Sequence, residues 1–129
     1  MAGCKPLKQQ ILAMRVETMG PTKAEVWLAD LTGSRGHEQK KQRPAAVWKD
    51  LSHVGIMIVI PFTTNLETQK FPYTRTIYSD IKNGLEKESV ALVYQITSID
   101  KRMLIKRIGE LGQDDIKSIG GLIKEMLKV

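Results

Sequence analysis

The sequence is poor in cysteine and histidine, the residue types that form disulfide bonds or bind metals in small proteins. Among its 129 residues there is one cysteine, Cys4, and there are two histidines, His37 and His53. A single cysteine cannot form an internal disulfide, and such usage is typical of a reducing, cytoplasmic compartment. Because no His and Cys side chains occur at metal-ligand spacing, we expect neither a metal site nor another cofactor.

Long apolar runs and nucleotide-binding loops are also missing. The longest apolar stretch, residues 56–62, is far shorter than the roughly 18 residues of a membrane span, so we expect no membrane association. The N-terminal apolar segment is too short for a signal peptide. The chain has no Walker glycine loop and no G-x-S-x-G elbow, which removes the reason to predict those hydrolase classes.

Aromatic residues make up only 5% of the chain, so few of them could stack on bases. We expect the two tryptophans, Trp27 and Trp48, to lie in the core. This leaves Phe71, Tyr73 and Tyr78 as the candidates for contact with a nucleic acid.

Positive charge is what the chain has in excess. The net charge is +6, and the cations cluster in residues 33–49, with Glu38 as the one acid, and in residues 101–107, which contain no acid. Each cluster is either a solvated surface or a contact for a polyanion. Arg43 precedes Pro44, whose fixed φ gives this arginine a rigid base, and a guanidinium can bind two phosphate oxygens at once.

Hydrophobic patterning predicts one mainly β domain at residues 23–129, preceded by a leader at residues 1–22 that is either mobile or a docking arm. Pro61 indicates a bulge or a sheet edge, and Asn83-Gly84 indicates a turn. The fold class is α+β, a small antiparallel barrel or sandwich covered by a C-terminal helix at residues 113–128. The predicted strands are residues 25–31, 44–48, 56–62, 71–78, 89–99 and 107–111.

Two further features of the predicted helix bear on packing. Its apolar stripe consists of Ile116, Ile119, Ile123, Met126 and Leu127. The pair Gly120-Gly121 lies in its middle, where each glycine costs about 1 kcal/mol relative to alanine. Such a pair either admits another backbone at close range or simply leaves the helix less stable.

Five sequence blocks, in this order, resemble the MazF/PemK/Kid toxin family. The resemblance covers about residues 23–127. The blocks are EVWLADL at 25–31, GHEQ at 36–39 with RPA at 43–45, IVIPFTTN at 58–65, the segments GL, SVAL, QI and IDK within 84–101, and RIGEL at 107–111.

This resemblance implies a metal-independent endoribonuclease, the toxin of a toxin–antitoxin pair, that cleaves single-stranded RNA at short sequences. It also implies a homodimer of SH3-like barrels, each with a C-terminal helix. The expected inhibitor is a cognate antitoxin that lays an acidic segment across the RNA groove.

Family functional residues map onto matching positions here. Arg43 would stabilise the phosphorane, Thr63 would orient the phosphate, and either His37 or Glu38 would be the general base. If Glu38 is the base, His37 is the best candidate for the acid. The residues expected to bind RNA are Gln39, Lys40, Lys41, Thr64 and Gln95.

Two other functions stay open at this point. CcdB-type proteins share the barrel but poison DNA gyrase by binding it, and fold alone does not separate them from nucleases. Leu92 and Tyr94 stand where some family members have an arginine and an acid, so an inactive binding homologue is the third interpretation.

Overall fold

The computed structural model describes residues 23–31 and 42–129, and the predicted leader lies outside this range. The described part contains seven strands, one α-helix and several short 3-10 turns. The elements are β1 (Glu25–Asp30), β2 (Gln42–Leu51), β3 (Ile56–Thr63), β4 (Thr74–Ile77), β5 (Ser89–Leu92), β6 (Thr97–Asp100), β7 (Leu104–Glu110) and α1 (Gln113–Leu127).

All strand pairs are antiparallel, and the strands follow the order β4-β5-β3-β2-β1-β7, with β6 also paired to β3. Among the described strands no pairing joins β4 to β7, so the sheet is open at these two ends. This architecture confirms the predicted α+β, mainly β fold with a C-terminal helix.

Strand β3 changes its partner along one edge. Its first half pairs with β6, where Val59 faces Thr97, and its last residues pair with β5, where Phe62 faces Ala91. Pro61 lies between these two segments and, on the other edge, faces Ala45 of β2. The irregularity in the β2–β3 pairing falls elsewhere, between Val47 and Lys49. Pro61 therefore marks a change of partner, where a missing N–H is tolerated.

The prediction of a single strand at residues 89–99 is wrong, because a 3-10 turn at Val93–Gln95 divides this segment into β5 and β6. If the register of β5 continued, Val59 would face Tyr94, whereas it faces Thr97. The turn takes up the extra residues, and it places Val93 fully inside the core. An apolar alternation cannot reveal such a register shift, since the alternation continues on both sides of the turn.

The boundaries of three other predicted strands also shift. The strand predicted at residues 71–78 begins only at Thr74, because Tyr73 has a φ of 59°, which is incompatible with extended backbone. The last strand begins earlier than predicted, at Leu104, and β2 is longer than predicted at both ends.

The apolar run of β3 serves two hydrophobic clusters. Ile60 and Phe62 belong to the cluster that faces α1, whereas Met57 and Val59 belong to the cluster on the other side. All four side chains are buried, so the prediction that both faces of this strand are buried is largely confirmed, although Ile56 and Ile58 remain partly exposed. Trp48 and Trp27 pack against the edges of the two clusters and are only partly buried.

The C-terminal helix packs along the predicted stripe with one exception. Ile119 is fully buried and Ile116, Ile123 and Met126 pack against the same cluster, whereas Leu127 is 59% exposed. No described helix is long and apolar enough to cross a membrane.

An ion pair and a hydrogen bond fix α1 to β4. The guanidinium of Arg75 donates to Asp115 at 3.0 Å and to the hydroxyl of Ser118 at 3.0 Å. Both partners lie in the first two turns of the helix, so β4 and α1 are held together by directional contacts as well as by apolar packing.

The turn predicted at Asn83-Gly84 is present, and it lies directly against β7. Asn83 is 1% exposed; its side-chain oxygen accepts from the N–H of Leu85 at 2.9 Å, and its amide nitrogen donates to the carbonyl of Tyr78 at 2.9 Å. Gly84 has a φ of 71°, a conformation that favours glycine. On the strand side, a Cβ added at Gly109 would lie 2.4 Å from the carbonyl oxygen of Lys82.

Gly120 and Gly121 behave differently from Gly109. A Cβ at Gly120 would meet only Trp48, at 3.9 Å, and among the described residues a Cβ at Gly121 would meet nothing within 4 Å. Among the described residues, therefore, no backbone segment packs closely against either glycine.

We expect Gly109→Ala to lower the free energy of unfolding by about 1–3 kcal/mol, because the methyl group overpacks against backbone that cannot move aside cheaply. The matched control is Gly121→Ala, which should raise it by up to about 1 kcal/mol through helix propensity. Urea unfolding of both variants measures the difference, and equal stability of the two would contradict this account of the turn.

Candidate active site

Three of the predicted site residues lie together. Arg43, Thr63 and Thr64 line one cleft of about 180 Å³, where the start of β2 meets the end of β3. The cleft is completed by Gln42, Pro44, Phe62 and Ser89.

Thr63 is held at the end of β3 by the loop that follows it. Its hydroxyl oxygen accepts a hydrogen bond from the N–H of Asn65 at 3.1 Å, and the Asn65 side chain accepts in turn from the N–H of Glu67 at 3.1 Å. A hydroxyl has one proton to donate and can accept besides. Thr63 therefore keeps a proton that it can donate to an oxygen of a ligand in the cleft.

Arg43 occupies the second position of β2, where the backbone is fixed by pairing with β1. Arg43 faces Ala29, and the next residue, Pro44, faces Leu28. The Arg43 side chain is partly exposed, so its charge can reach the cleft that it lines. A guanidinium carried by a paired strand is better positioned than one on a loop.

The structure does not bring every predicted residue to this cleft. Gln95 is predicted to lie on a strand, but it is an exposed residue of the 3-10 turn between β5 and β6. It is not among the described residues that line the cleft. Five predicted residues lie outside the described part of the chain: His37, Glu38, Gln39, Lys40 and Lys41.

Ser89 was not predicted as a site residue. It is 2% exposed, lines the cleft, and donates its hydroxyl hydrogen to the carbonyl oxygen of Lys87 at 3.0 Å. The sequence showed it only as the first residue of a strand. Its place in the cleft follows from the pairing of β5 with the end of β3, where Thr63 faces Val90.

A second depression of about 390 Å³ adjoins the cleft and shares Pro44, Thr64 and Ser89 with it. We refer to the cleft and this depression together as the groove. The depression is also lined by Leu28, Gly84, Leu85, Glu86, Lys87, Lys106 and Ile108.

The basic cluster at residues 101–107 does not act as one surface. Arg102 forms an ion pair with Asp100 at 2.9 Å, and hydrogen bonds from Arg102 lower the pKa of Asp100 to about 2. Arg107 forms an ion pair with Glu25 at 3.1 Å. Of the four cations in this cluster, Lys106 alone lines the groove.

The aromatic candidates for base stacking lie elsewhere. Phe71 packs edge to face with Tyr94, with ring centroids 6.2 Å apart, Tyr73 packs against the core, and Tyr78 is exposed. None of them is among the described residues lining the groove. Within residues 23–31 and 42–129, no group of three or more His, Cys, Asp and Glu side chains is placed to hold a metal ion.

Comparison with known proteins gives relatives in sequence and in structure. Endoribonuclease MazF9 of Mycobacterium tuberculosis is 28% identical over 110 residues, which cover 79% of this chain and 92% of the relative. The crystal structure of MazF from Deinococcus radiodurans superposes with a TM-score of 0.69 at 23% identity, covering 84% of this chain and 97% of that one.

An endoribonuclease solved in complex with its cognate antitoxin, from a mycobacterial species, superposes with a TM-score of 0.64 at 16% identity, covering 85% of this chain and 97% of that one. At such identities the two structures establish the fold alone. A family model described as PemK-like, MazF-like toxin of type II toxin-antitoxin system matches residues 22–127. Since this match covers most of the sequence, the chain belongs to the family of PemK-like, MazF-like toxins of type II toxin–antitoxin systems.

Proposed function

We propose that this protein is an endoribonuclease that cleaves single-stranded RNA at a short recognition sequence, as the toxin of a toxin–antitoxin pair in the cytoplasm. The observation that carries the proposal is the cleft in which Arg43, Thr63 and Thr64 lie side by side. The name of the mycobacterial relative, an endoribonuclease, supports the same activity.

RNA supplies its own nucleophile, the 2′-hydroxyl next to the scissile phosphate. Attack by this oxygen forms a pentacoordinate phosphorane with additional negative charge, and the bond to the 5′-oxygen then breaks. In this proposal the Arg43 guanidinium binds the phosphorane oxygens, where fixed positive charge stabilises the transition state most. Thr63 donates a hydrogen bond from its hydroxyl to the same phosphate and orients it.

Two proton transfers complete the reaction. A general base removes the 2′-hydroxyl proton, and a general acid protonates the departing 5′-oxygen. We assign the base to His37 or Glu38, and the acid to His37 if Glu38 is the base. The products are a 2′,3′-cyclic phosphate and a 5′-hydroxyl, and no step requires a metal ion.

Other residues would hold the RNA on either side of the scissile phosphate. Thr64 lines the cleft, and Gln39, Lys40 and Lys41 immediately precede β2 in the sequence. Because Gln95 does not line the cleft, we propose that it contacts RNA farther from the reacting phosphate.

Two protein partners are part of the proposal. A cognate antitoxin with an acidic segment would bind in the groove, because its carboxylates complement the cations that RNA would otherwise neutralise. The solved complex of a mycobacterial endoribonuclease with its antitoxin supports a partner of this class. We also propose that the toxin is a homodimer.

The proposed role of Arg43 can be tested by mutation. Arg43→Ala should reduce the rate of RNA cleavage by 10²-fold or more, because it removes the charge that stabilises the phosphorane. The control is Lys49→Ala, at an exposed position of the same strand, which should cleave at the wild-type rate. Thermal unfolding of both variants checks that they are folded, and near-normal turnover by folded Arg43→Ala would place the active site elsewhere.

Another prediction tests the nucleophile. An oligonucleotide with a single 2′-deoxyribose on the 5′ side of the cut should be inert, since it lacks the attacking hydroxyl. The same substitution on the 3′ side of the cut should leave cleavage intact. Gel electrophoresis of end-labelled oligonucleotides gives the result, and cleavage of the first substrate would refute attack by the 2′-hydroxyl.

A further prediction concerns metal ions. Cleavage of a long natural RNA should proceed in excess EDTA at the rate seen without it, and mapping of the fragment ends gives the recognition sequence. A strict dependence on added Mg²⁺ would contradict the mechanism. Intact RNA together with inhibition of DNA gyrase would favour the CcdB-type function, and intact RNA without gyrase inhibition would favour an inactive binding homologue.

A further inference from the structure

The depression next to the cleft has no part in the chemistry proposed above, although it is the larger of the two. Its volume of about 390 Å³ falls within the range of about 300–1,000 Å³ that is usual for small-molecule sites. It shares Pro44, Thr64 and Ser89 with the cleft, so the two adjoin and a ligand bound in the cleft can extend into it.

The sheet register builds one wall of this depression. Leu28 of β1 faces Pro44 of β2 on one side and Lys106 of β7 on the other. Residues directly opposite each other in antiparallel strands project to the same face of the sheet. The three side chains therefore form a row that leads from the cleft to the ammonium group of Lys106.

The turn at Asn83-Gly84 builds the opposite wall. A Cβ at Gly84 would lie 2.3 Å from the carbonyl oxygen of Ile108, so the turn is seated directly on β7. Lys87 lies three residues after Gly84 in the sequence. Its carbonyl oxygen accepts a hydrogen bond from the hydroxyl of buried Ser89 at 3.0 Å. The backbone that carries Lys87 is thus fixed relative to both β7 and the cleft.

The two lysines that line the depression differ from the arginines of the described chain in their ion pairing. Among the described residues, Arg75, Arg102 and Arg107 each form an ion pair with an acid at 3.1 Å or less. Within the same part of the chain, Lys87 and Lys106 form no ion pair, and both line the depression. Glu86 is the one acid among the described residues that line it, so these side chains together carry a net positive charge.

Three aliphatic side chains also line the depression. Leu28 and Ile108 are partly buried and Leu85 is 7% exposed, so together they offer an apolar surface beside the two lysines. Cations next to an apolar wall match the two parts of a nucleotide, a charged phosphate and a flat base with little affinity for water on its faces.

We infer that this depression is the subsite for a nucleotide adjacent to the scissile phosphate, with Lys87 and Lys106 binding its phosphate and the aliphatic wall contacting its base. The inference rests on the proposed function, because the cleft must first hold the reacting phosphate. It makes Lys87 and Lys106 binding residues for the RNA, not catalytic ones.

The test measures binding of a single-site RNA that carries the 2′-deoxyribose on the 5′ side of the cut, by fluorescence anisotropy at several salt concentrations. Lys106→Gln and Lys87→Gln should each raise Kd by about 3–10-fold at 0.15 M salt. Each should also reduce the slope of log K against log salt by about 0.7, the value for one phosphate contact on a single strand.

The matched control is Lys101→Gln, which removes a lysine of the same basic cluster that does not line the groove. It should leave both Kd and the salt slope unchanged. A single abasic nucleotide moved stepwise through the site should weaken binding by roughly tenfold, or about 1.4 kcal/mol, at one position flanking the cut.

The outcomes separate the two proposals. If wild-type protein cleaves RNA while Lys106→Gln and Lys87→Gln bind like Lys101→Gln, the subsite is wrong and the nuclease stands. If no flanking abasic position weakens binding, the assignment of the base to the aliphatic wall is overturned. If wild-type protein neither binds nor cleaves RNA, the proposed function fails first.

Discussion

Strand β3 has two partners on one edge and β2 on the other, and the position of the cleft depends on this division. Pairing with β5 at the end of β3 brings Ser89 to the side of Thr63. Pairing with β2 on the opposite edge brings Arg43 and Pro44 to the same place. Pro61 lies where one partner gives way to the other. Arg43, Thr63 and Ser89 therefore lie on paired strands, whose backbone is more rigid than that of a free loop.

A second constraint is the close contact between the turn at residues 82–84 and β7. Carbonyl groups of the turn occupy the space that a side chain at Gly109 would need, and Gly84 meets Ile108 in the same way. The N–H of Glu110 donates to the carbonyl of Lys82 at 3.0 Å, which closes the contact. The turn between β4 and β5 is thereby joined to β7, and the depression next to the cleft is lined by residues of both.

Ion pairing decides which of the many cations remain available to a polyanion. The sequence shows four cations at residues 101–107, but Arg102 and Arg107 already have acidic partners. The hydrogen bonds from Arg102 lower the pKa of Asp100 to about 2. The count of cations in residues 101–107 thus overstates their basic surface. The cations that line the groove come from separate strands and loops.

The sequence by itself determined the elements with strong local patterns: the buried strand β3, the C-terminal helix and the turn at Asn83-Gly84. Through the family resemblance, it also predicted that Arg43 and Thr63 belong to one site, and both line the same cleft. It could not show that residues 89–99 divide into two strands, or that Gln95 leaves the cleft, because a register shift preserves the alternation of apolar residues. Only the tertiary structure brought Lys87 and Lys106 to the groove, because both placements depend on contacts between residues far apart along the chain. Antiparallel register sets Lys106 of β7 beside Leu28 of β1, and the contact of the turn at residues 82–84 with β7 brings Lys87 to the same depression.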